Sequence, residues 1–356
     1  MAARWLVEAG RADGRLSVWL VVLALAAAAC SHSSRHVAPR PVTTPPTSSA
    51  TTSAAAGPVF PLTGLAVDDP KKASRPALTV KIENEPPARP QSGLAAADVV
   101  YEELIEGGDT RFAAVFQSTD ADPVGSIRSV RPTDPFLVGP IGGLFAYSGG
   151  TAKFVAALHA TSVVDVGEST HSGAYFLRSE KAPDHRLFSS TARLYAAGGG
   201  AGAKAPPSLF PFLPQGAAFA PAAATPASHV EFVIGIQHVA YDWDPAVGWR
   251  RSIAGKPHVV EGGGQLAPTN VIVQFVSWVP SPGDVDTLGS QVLVAQLVGS
   301  GDAWILSDGK VVKGRWSKAA RDDVTAYTGP DGQRVMLRPG RTWVDLVGIG
   351  SPVAIR

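Results

Sequence analysis

Alternation and clustering of apolar residues divide the chain into a β-dominated body with a few short helices. Residues 76–82, PALTVKI, read as a buried strand. The next stretch, AADVVYEELIEGGDTRFAAVFQST, fits two patterns. Leu94, Ala97, Tyr101, Leu104 and Ile105 have helical spacing with Gly107 as a cap, whereas Val99–Val100–Tyr101 favours a strand turning through Gly107–Gly108–Asp109 into TRFAAVFQ. The hairpin is the preferred reading. GLFAYSGG, residues 143–150, reads as a strand ending in glycines, followed by the helix former TAKFVAALHA. Such a helix start presents free backbone N–H groups, to which Gly149 and Gly150 lead. SVVDV and STARLYAA predict one more strand and one more short helix. From His229 onward HVEFVIG, QHVAYDW, NVIVQFVSW and QVLVAQLVGS are strand-like, and AWILS-Asp308-Gly309-KVVKGRW predicts a tight hairpin with a type I′ turn. The expected fold class is α+β: an N-terminal mixed α/β domain, residues 59–197, then a mostly antiparallel β domain, residues 229–356. Between them, residues 198–228 have no period and read as a connector or disordered insert.

The N-terminus reads differently from the body. Arg4, Arg11 and Arg15 precede an apolar run, Val18 to Ala29, of about a dozen residues, too short to span a bilayer comfortably. It fits the hydrophobic region of a secretory signal, residues 1–29. A run of alanines, Ala26 to Ala29, precedes Cys30, the single cysteine of the 356-residue chain. Small residues before a cysteine suit a lipoprotein signal peptidase, and a lone cysteine in an exported chain has no disulfide partner. Cys30 is therefore the expected lipidation site, and two or more acyl chains suffice for stable anchoring. Residues 30–58 follow as a Ser/Thr/Pro/Ala tether with no acidic residue. As a flexible coil it reaches roughly 30 Å. The membrane, through Cys30, is the expected partner, and the extracytoplasmic membrane face the expected location.

Charge and motifs narrow the function. A formal net charge of +1 gives no electrostatic basis for nucleic-acid binding. No Gly-x-Ser-x-Gly elbow, His-Glu-x-x-His pair or Walker A sequence occurs. The His32/His36 pair lies in the tether and is a poor zinc site, so neither metal nor cofactor is expected. The glycine run from Gly198 lacks a preceding strand, and Ser307-Asp-Gly-Lys310 straddles the predicted turn. Glu102, Glu103 and Glu106 suggest a carboxylate pair. On a strand, however, Glu102 and Glu106 lie roughly 13 Å apart, beyond the spacing of about 5–9.5 Å that glycoside hydrolysis uses. What remains is a polar set in the N-terminal half: Asn84, Arg89, Gln91, Glu106, Thr110, Arg111, Arg128, Arg131 and His185. Several of its members sit in Pro/Gly-rich contexts, and arginine forks suit carboxylates and phosphates.

At these residues the chain resembles a known family. KIENEPPARPQSGL, ADVVYEELIEGGDTRFAAVFQS, GSIRSVRP and AYSGG, in that order, resemble the YerB-like bacterial lipoproteins, as do NVIVQF, GRWSK around Trp316 and Lys318, and LRPGRTWVDLV. Where that family carries Ala-Pro-His-Asn before an aromatic residue, this chain has Ala182-Pro183-Asp184-His185-Arg186-Leu187-Phe188. The resemblance implies an exported, membrane-anchored protein and no established reaction. The reading that follows is an envelope lipoprotein whose arginines bind an anionic envelope component or a partner protein. Two alternatives stay open. One is an enzyme acting on cell-wall glycan or peptide, with Glu102, Glu106 and His185 as acid–base candidates. The other is a scaffold whose arginines only cross-link loops.

Overall fold

The computed structural model describes residues 57–200, 204–286 and 289–356. Cys30, the signal segment, His32 and His36, and nearly all of the tether lie outside the described residues. Strands dominate and helices are few and short, so the fold is mainly β.

The N-terminal part contributes β1 (Leu78–Glu83), β2 (Val99–Leu104), β3 (Thr110–Phe116), α1 (Asp134–Val138), β4 (Leu144–Ala146), α2 (Ala152–His159), β5 (Val164–Asp165) and α3 (Thr191–Ala197). The C-terminal part contributes β6 (His229–Ile234), β7 (Gln237–Asp244), β8 (Gly248–Ile253), β9 (Asn270–Val276), β10 (Trp278–Val285), β11 (Gln291–Ala295), β12 (Gly299–Ser307), β13 (Lys310–Lys318), β14 (Ala326–Thr328), β15 (Thr342–Gly348) and β16 (Val353–Ile355). The ambiguous 94–117 stretch is the β2–β3 hairpin. Its β-branched and aromatic residues pair in register, Val100 with Ala114 and Glu102 with Phe112, rather than winding into one helical face.

One large sheet joins both parts, in the order β14-β13-β12-β9-β15-β2-β3-β1-β4-β5, with the short Thr225–Pro226 strand also beside β13. The junction is β15, parallel to β9 on one side and to β2 on the other. Thus the two parts share a sheet and a core. The α/β character of the N-terminal part amounts to the β4–α2–β5 unit, whose two strands run parallel as a crossover helix allows. Asp308 and Gly309 both have positive φ, +53° and +66°, in the turn joining β12 to β13. Ser307 pairs with Lys310 across that turn, as a two-residue hairpin requires.

A second sheet, in the order Lys256–Pro257, β8, β7, β6, β16, packs on one face of the large sheet. Val230, Phe232, Val239, Tyr241 and Trp249 meet Val100, Phe112, Val271 and Trp343 in a single apolar layer. On the opposite face Val115, Phe145, Tyr147, Ile272, Ile305 and Val344 form a second core under α1 and α2. The 198–228 segment contributes to this layer. Leu209, Phe210 and Phe219 are buried there, so the part of the insert that is described is anchored by three apolar side chains although it shows no period.

Strand β1 lies inside the sheet and is buried along its whole length. Leu78, Val80 and Ile82 face the first core, so period-two alternation turns Thr79, Lys81 and Glu83 to the other face. Two charged side chains are thereby fully buried, and the groups that satisfy them form the candidate site.

Candidate functional site

Register builds the site's first row. Glu83 on β1 stands opposite Arg111 on β3, and Arg111 stands opposite Glu103 on β2. Directly paired residues project to the same face of a sheet. A carboxylate, a guanidinium and a second carboxylate thus line up across three strands. The segment GSIRSVRPTDP lies over this row. Its backbone runs beside the end of β1, with Glu83 N–H donating to Ser126 O at 3.0 Å and Arg128 N–H to Lys81 O at 3.0 Å. On its other side Ser148 N–H donates to Arg128 O at 2.9 Å, and Val130 N–H to Gly149 O at 3.2 Å. Backbone bonds on both edges fix where Arg128 and Arg131 start.

The charged groups then pair. Arg128 Nε lies 3.0 Å from Glu83 Oε1. Arg128 Nη1 also donates to the backbone oxygen of Asp184 at 2.7 Å. Glu83 Oε2 meets His185 Nδ1 at 2.7 Å. Arg131 Nε donates to Glu106 Oε2 at 2.8 Å. Behind them Lys81 is bonded to Glu103 and, at 2.7 Å, to Asp134, all three side chains being fully buried. Asp134 also accepts from the Arg131 backbone N–H at 2.6 Å, tying the segment to the buried lysine.

Arg111 is the exception. It is 3% exposed and donates only to the Ser129 backbone oxygen, at 3.1 Å. Its Nε is buried without a partner, and no carboxylate among the described residues forms an ion pair with it. Burial, and then the charges of Arg131 and Arg128, lower its pKa to about 10, against the weaker pull of Glu83 and Glu106. Burial likewise raises the Glu83 carboxyl, opposed by the His185 bond and Arg128. Glu103 is pushed up to about 7 by burial and by the charge of Asp134, despite Lys81.

The expected set therefore divides. Glu106, Arg111, Arg128, Arg131 and His185 gather on one face, with Gly149 and Gly150 exposed beside Ser129 ahead of α2. Asn84, Arg89, Gln91 and Thr110 belong to a separate buried network on the other face. Thr110 and Asn84 donate to Glu102 Oε1 at 2.7 and 3.1 Å. Arg89 Nε and Gln91 Nε2 donate to Asn84 Oδ1 at 3.2 and 3.0 Å. Glu102 Oε2 accepts from the fully buried Arg251 at 2.5 Å, and that guanidinium lies 4.7 Å over the Trp343 ring. Beside them burial, and then the Glu102 charge, hold the Asp345 carboxyl well above its usual range against the opposing charge of Arg251, and Asp345 accepts from Tyr241 at 3.1 Å. Alternation separates the groups: Glu102 and Thr110 point to one side, Glu103 and Arg111 to the other. Glu102 and Glu106 consequently do not form a pair, since Glu102 bonds Arg251 and Glu106 bonds Arg131.

Sequence reasoning missed Lys81, Glu83 and Asp134, and singled out Glu103 only as part of the Glu102/Glu103/Glu106 cluster. Counting back from the Gly107–Gly108 turn pairs Glu103 with Arg111, so part of the row was available once the hairpin was chosen. The Glu83–Arg111 pairing needed knowledge that β1 lies beside β3. Also missed was a bidentate pair at the rim, Arg178 Nη1 and Nη2 to Glu261 at 2.7 and 2.8 Å, which joins the two parts and holds the Glu261 carboxyl at about 2.

Two sequence models of one family match the chain. The first, described as Protein of unknown function (DUF3048) N-terminal domain, matches residues 62–204; its C-terminal counterpart matches residues 229–344. Among curated proteins, "Putative lipoprotein YerB" of Bacillus subtilis (strain 168) is 27% identical over 292 residues, spanning 81% of this chain and 85% of that protein. The crystal structure of the YerB protein from Bacillus subtilis superposes with a TM-score of 0.71 at 24% identity, covering 83% of this chain and 99% of that one. That likeness is one of fold.

Proposed function

The chain belongs to the DUF3048 family, whose description carries no activity, and we propose that its body binds an anionic group at the Arg111–Arg128–Arg131 cluster while Cys30 anchors it to the extracytoplasmic face of the membrane. The anchor reading is supported by the Ala-Ala-Ala-Cys30 signal and by the lipoprotein name of the Bacillus subtilis relative. The anion reading is carried by Arg111, a buried guanidinium without a carboxylate of its own, flanked by two further guanidiniums. Burying such a charge unpaired is costly, and a phosphate or carboxylate received there offsets that cost. The ligand is an anionic envelope component or an acidic group of a partner protein.

A scaffold reading draws on a different observation: Arg128 and Arg131 already have carboxylate partners, Glu83 and Glu106. Calorimetric titration of the full chain with inorganic phosphate and with pyrophosphate separates the two. On the anion reading, Arg128→Gln with Arg131→Gln weakens binding by about tenfold or more, since each charge-assisted bond contributes about 1.5–3 kcal/mol. Binding also declines steeply with added salt. Unchanged affinity in a folded double variant overturns the reading. No binding at all, together with a loss of stability in that variant, supports the scaffold.

A further inference from the structure

We propose that this site also moves a proton: bound to the anion cluster, a phosphodiester is hydrolysed with His185 as general base and then acid, and Glu83 as the residue that positions it. The inference rests on the anion-binding reading above.

His185 is 8% exposed, and its Nδ1 faces Glu83 Oε2 at 2.7 Å. Its Nε2 has no protein hydrogen-bond partner among the described residues, and it is not one of the ring nitrogens sealed from solvent. A carboxylate at Nδ1 keeps the proton on that nitrogen and leaves the Nε2 lone pair free to accept another. Glu83 is itself fully buried, with Arg128 Nε 3.0 Å from its other oxygen, so the carboxylate that the imidazole bonds is held beside a guanidinium. Arg128 also holds the Asp184 backbone oxygen at 2.7 Å, fixing the turn that carries His185.

Glu83, Glu85 and His185 also place one ligand atom each within 4.8 Å of one another, which raises a metal as the alternative occupant. Charge argues against it. Arg128 sits directly on Glu83, and Arg111 stands opposite Glu83 in the sheet. A cation would enter against two fixed positive charges, whereas an anion is favoured by both.

The chemistry needs only water. A water oxygen attacks phosphorus and forms the new O–P bond while Nε2 takes the water proton. The P–O bond to the leaving group breaks, and Nε2–H returns that proton to the departing oxygen. The guanidiniums stabilise the charge on the non-bridging oxygens as it builds. Lipid headgroups and anionic wall polymers both present this bond.

The test uses the full chain, with bis(p-nitrophenyl) phosphate to read turnover and inorganic phosphate to read binding. The wild type turns over the diester, and EDTA does not change the rate. His185→Gln lowers kcat by about 100-fold or more, the usual contribution of a general base, with phosphate affinity within threefold. Glu83→Gln lowers kcat by less with phosphate affinity within threefold, and Glu83→Asp recovers part of the rate, as a positioning carboxylate requires. Wild type that binds phosphate without turning over the diester overturns the proposal and leaves the binding reading intact, as does His185→Gln at the wild-type rate. Activity lost to EDTA and restored by a divalent cation overturns it in favour of the metal. Absence of phosphate binding in the wild type overturns the underlying reading instead. Given activity, phosphatidylglycerol vesicles and a glycerol-phosphate oligomer then distinguish lipid from polymer as the source of the bond.

Discussion

At the scale of single residues, this protein places charge where burial makes it expensive and then satisfies most of it. Lys81, Glu83, Glu102, Glu103, Arg251 and Asp345 are all fully buried. Each answers to a named partner, which is how buried ions are tolerated. Lys318 is a simpler case. It is 4% exposed and donates to the Phe136 backbone oxygen at 2.5 Å, with no carboxylate among the described residues in ion-pair contact. Burial is the main cause that lowers its pKa to about 8, opposed by Asp322 and Asp323. The unfolded chain holds that proton up to its ordinary pKa of 10.5, so between about 8 and 10.5 the unfolded state binds more protons than the folded one. Stability attributable to Lys318 therefore rises with pH across that window. Urea unfolding at pH 7.5 and pH 10 is expected to show the wild type gaining stability relative to Lys318→Met; a parallel pH response of the two proteins would contradict the assignment. The sequence marked Lys318 only through a motif resemblance, because burial depends on which segment covers a residue.

Among the elements, β15 has the widest consequence. Its TWVDLVG sequence reads as an ordinary buried strand, and its neighbours on both sides run parallel. Parallel pairing joins strands that are distant in sequence, so neither a turn nor a spacing announces it. The β2–β3 and β12–β13 hairpins were legible because their turn chemistry lies between adjacent runs of strand residues. The β2–β15 pairing was not, and it decides that the β2 edge of the N-terminal part is covered by a strand of the C-terminal part. Residues 57–204 expressed alone would expose the edge of β2 and the apolar layer that Val230, Phe232, Tyr241 and Trp249 cover. Circular dichroism of that fragment is expected to show no cooperative melt, and co-expression with residues 205–356 to restore one. A cooperative transition in the isolated fragment would show that the N-terminal part folds independently.

For the whole molecule, a sandwich of two sheets with a charged cluster on the far face of the larger one has to be delivered to its place of work. No described helix is long and apolar enough to cross a membrane. On the reading of Cys30 as the anchor, Cys30→Ala moves the protein from the detergent phase to the aqueous phase in Triton X-114 partitioning of cells, while the body stays folded. Retention of Cys30→Ala in the detergent phase would refute lipidation as the anchor. Local chemistry made several features readable in advance: the strand-rich body, the β2–β3 and β12–β13 hairpins, the strand–Gly-Gly–helix unit, the arginines of GSIRSVRPTDP and the lone cysteine. All of them depend on residues within a few positions of one another. Tertiary structure alone decided that Asn84 and Thr110 join the Glu102 network, that Glu83 meets Arg128 and His185, and that Arg111 is left without a carboxylate in ion-pair contact among the described residues. Those outcomes turn on strand register and on which face each side chain takes, and one residue of register exchanges the two faces of a strand.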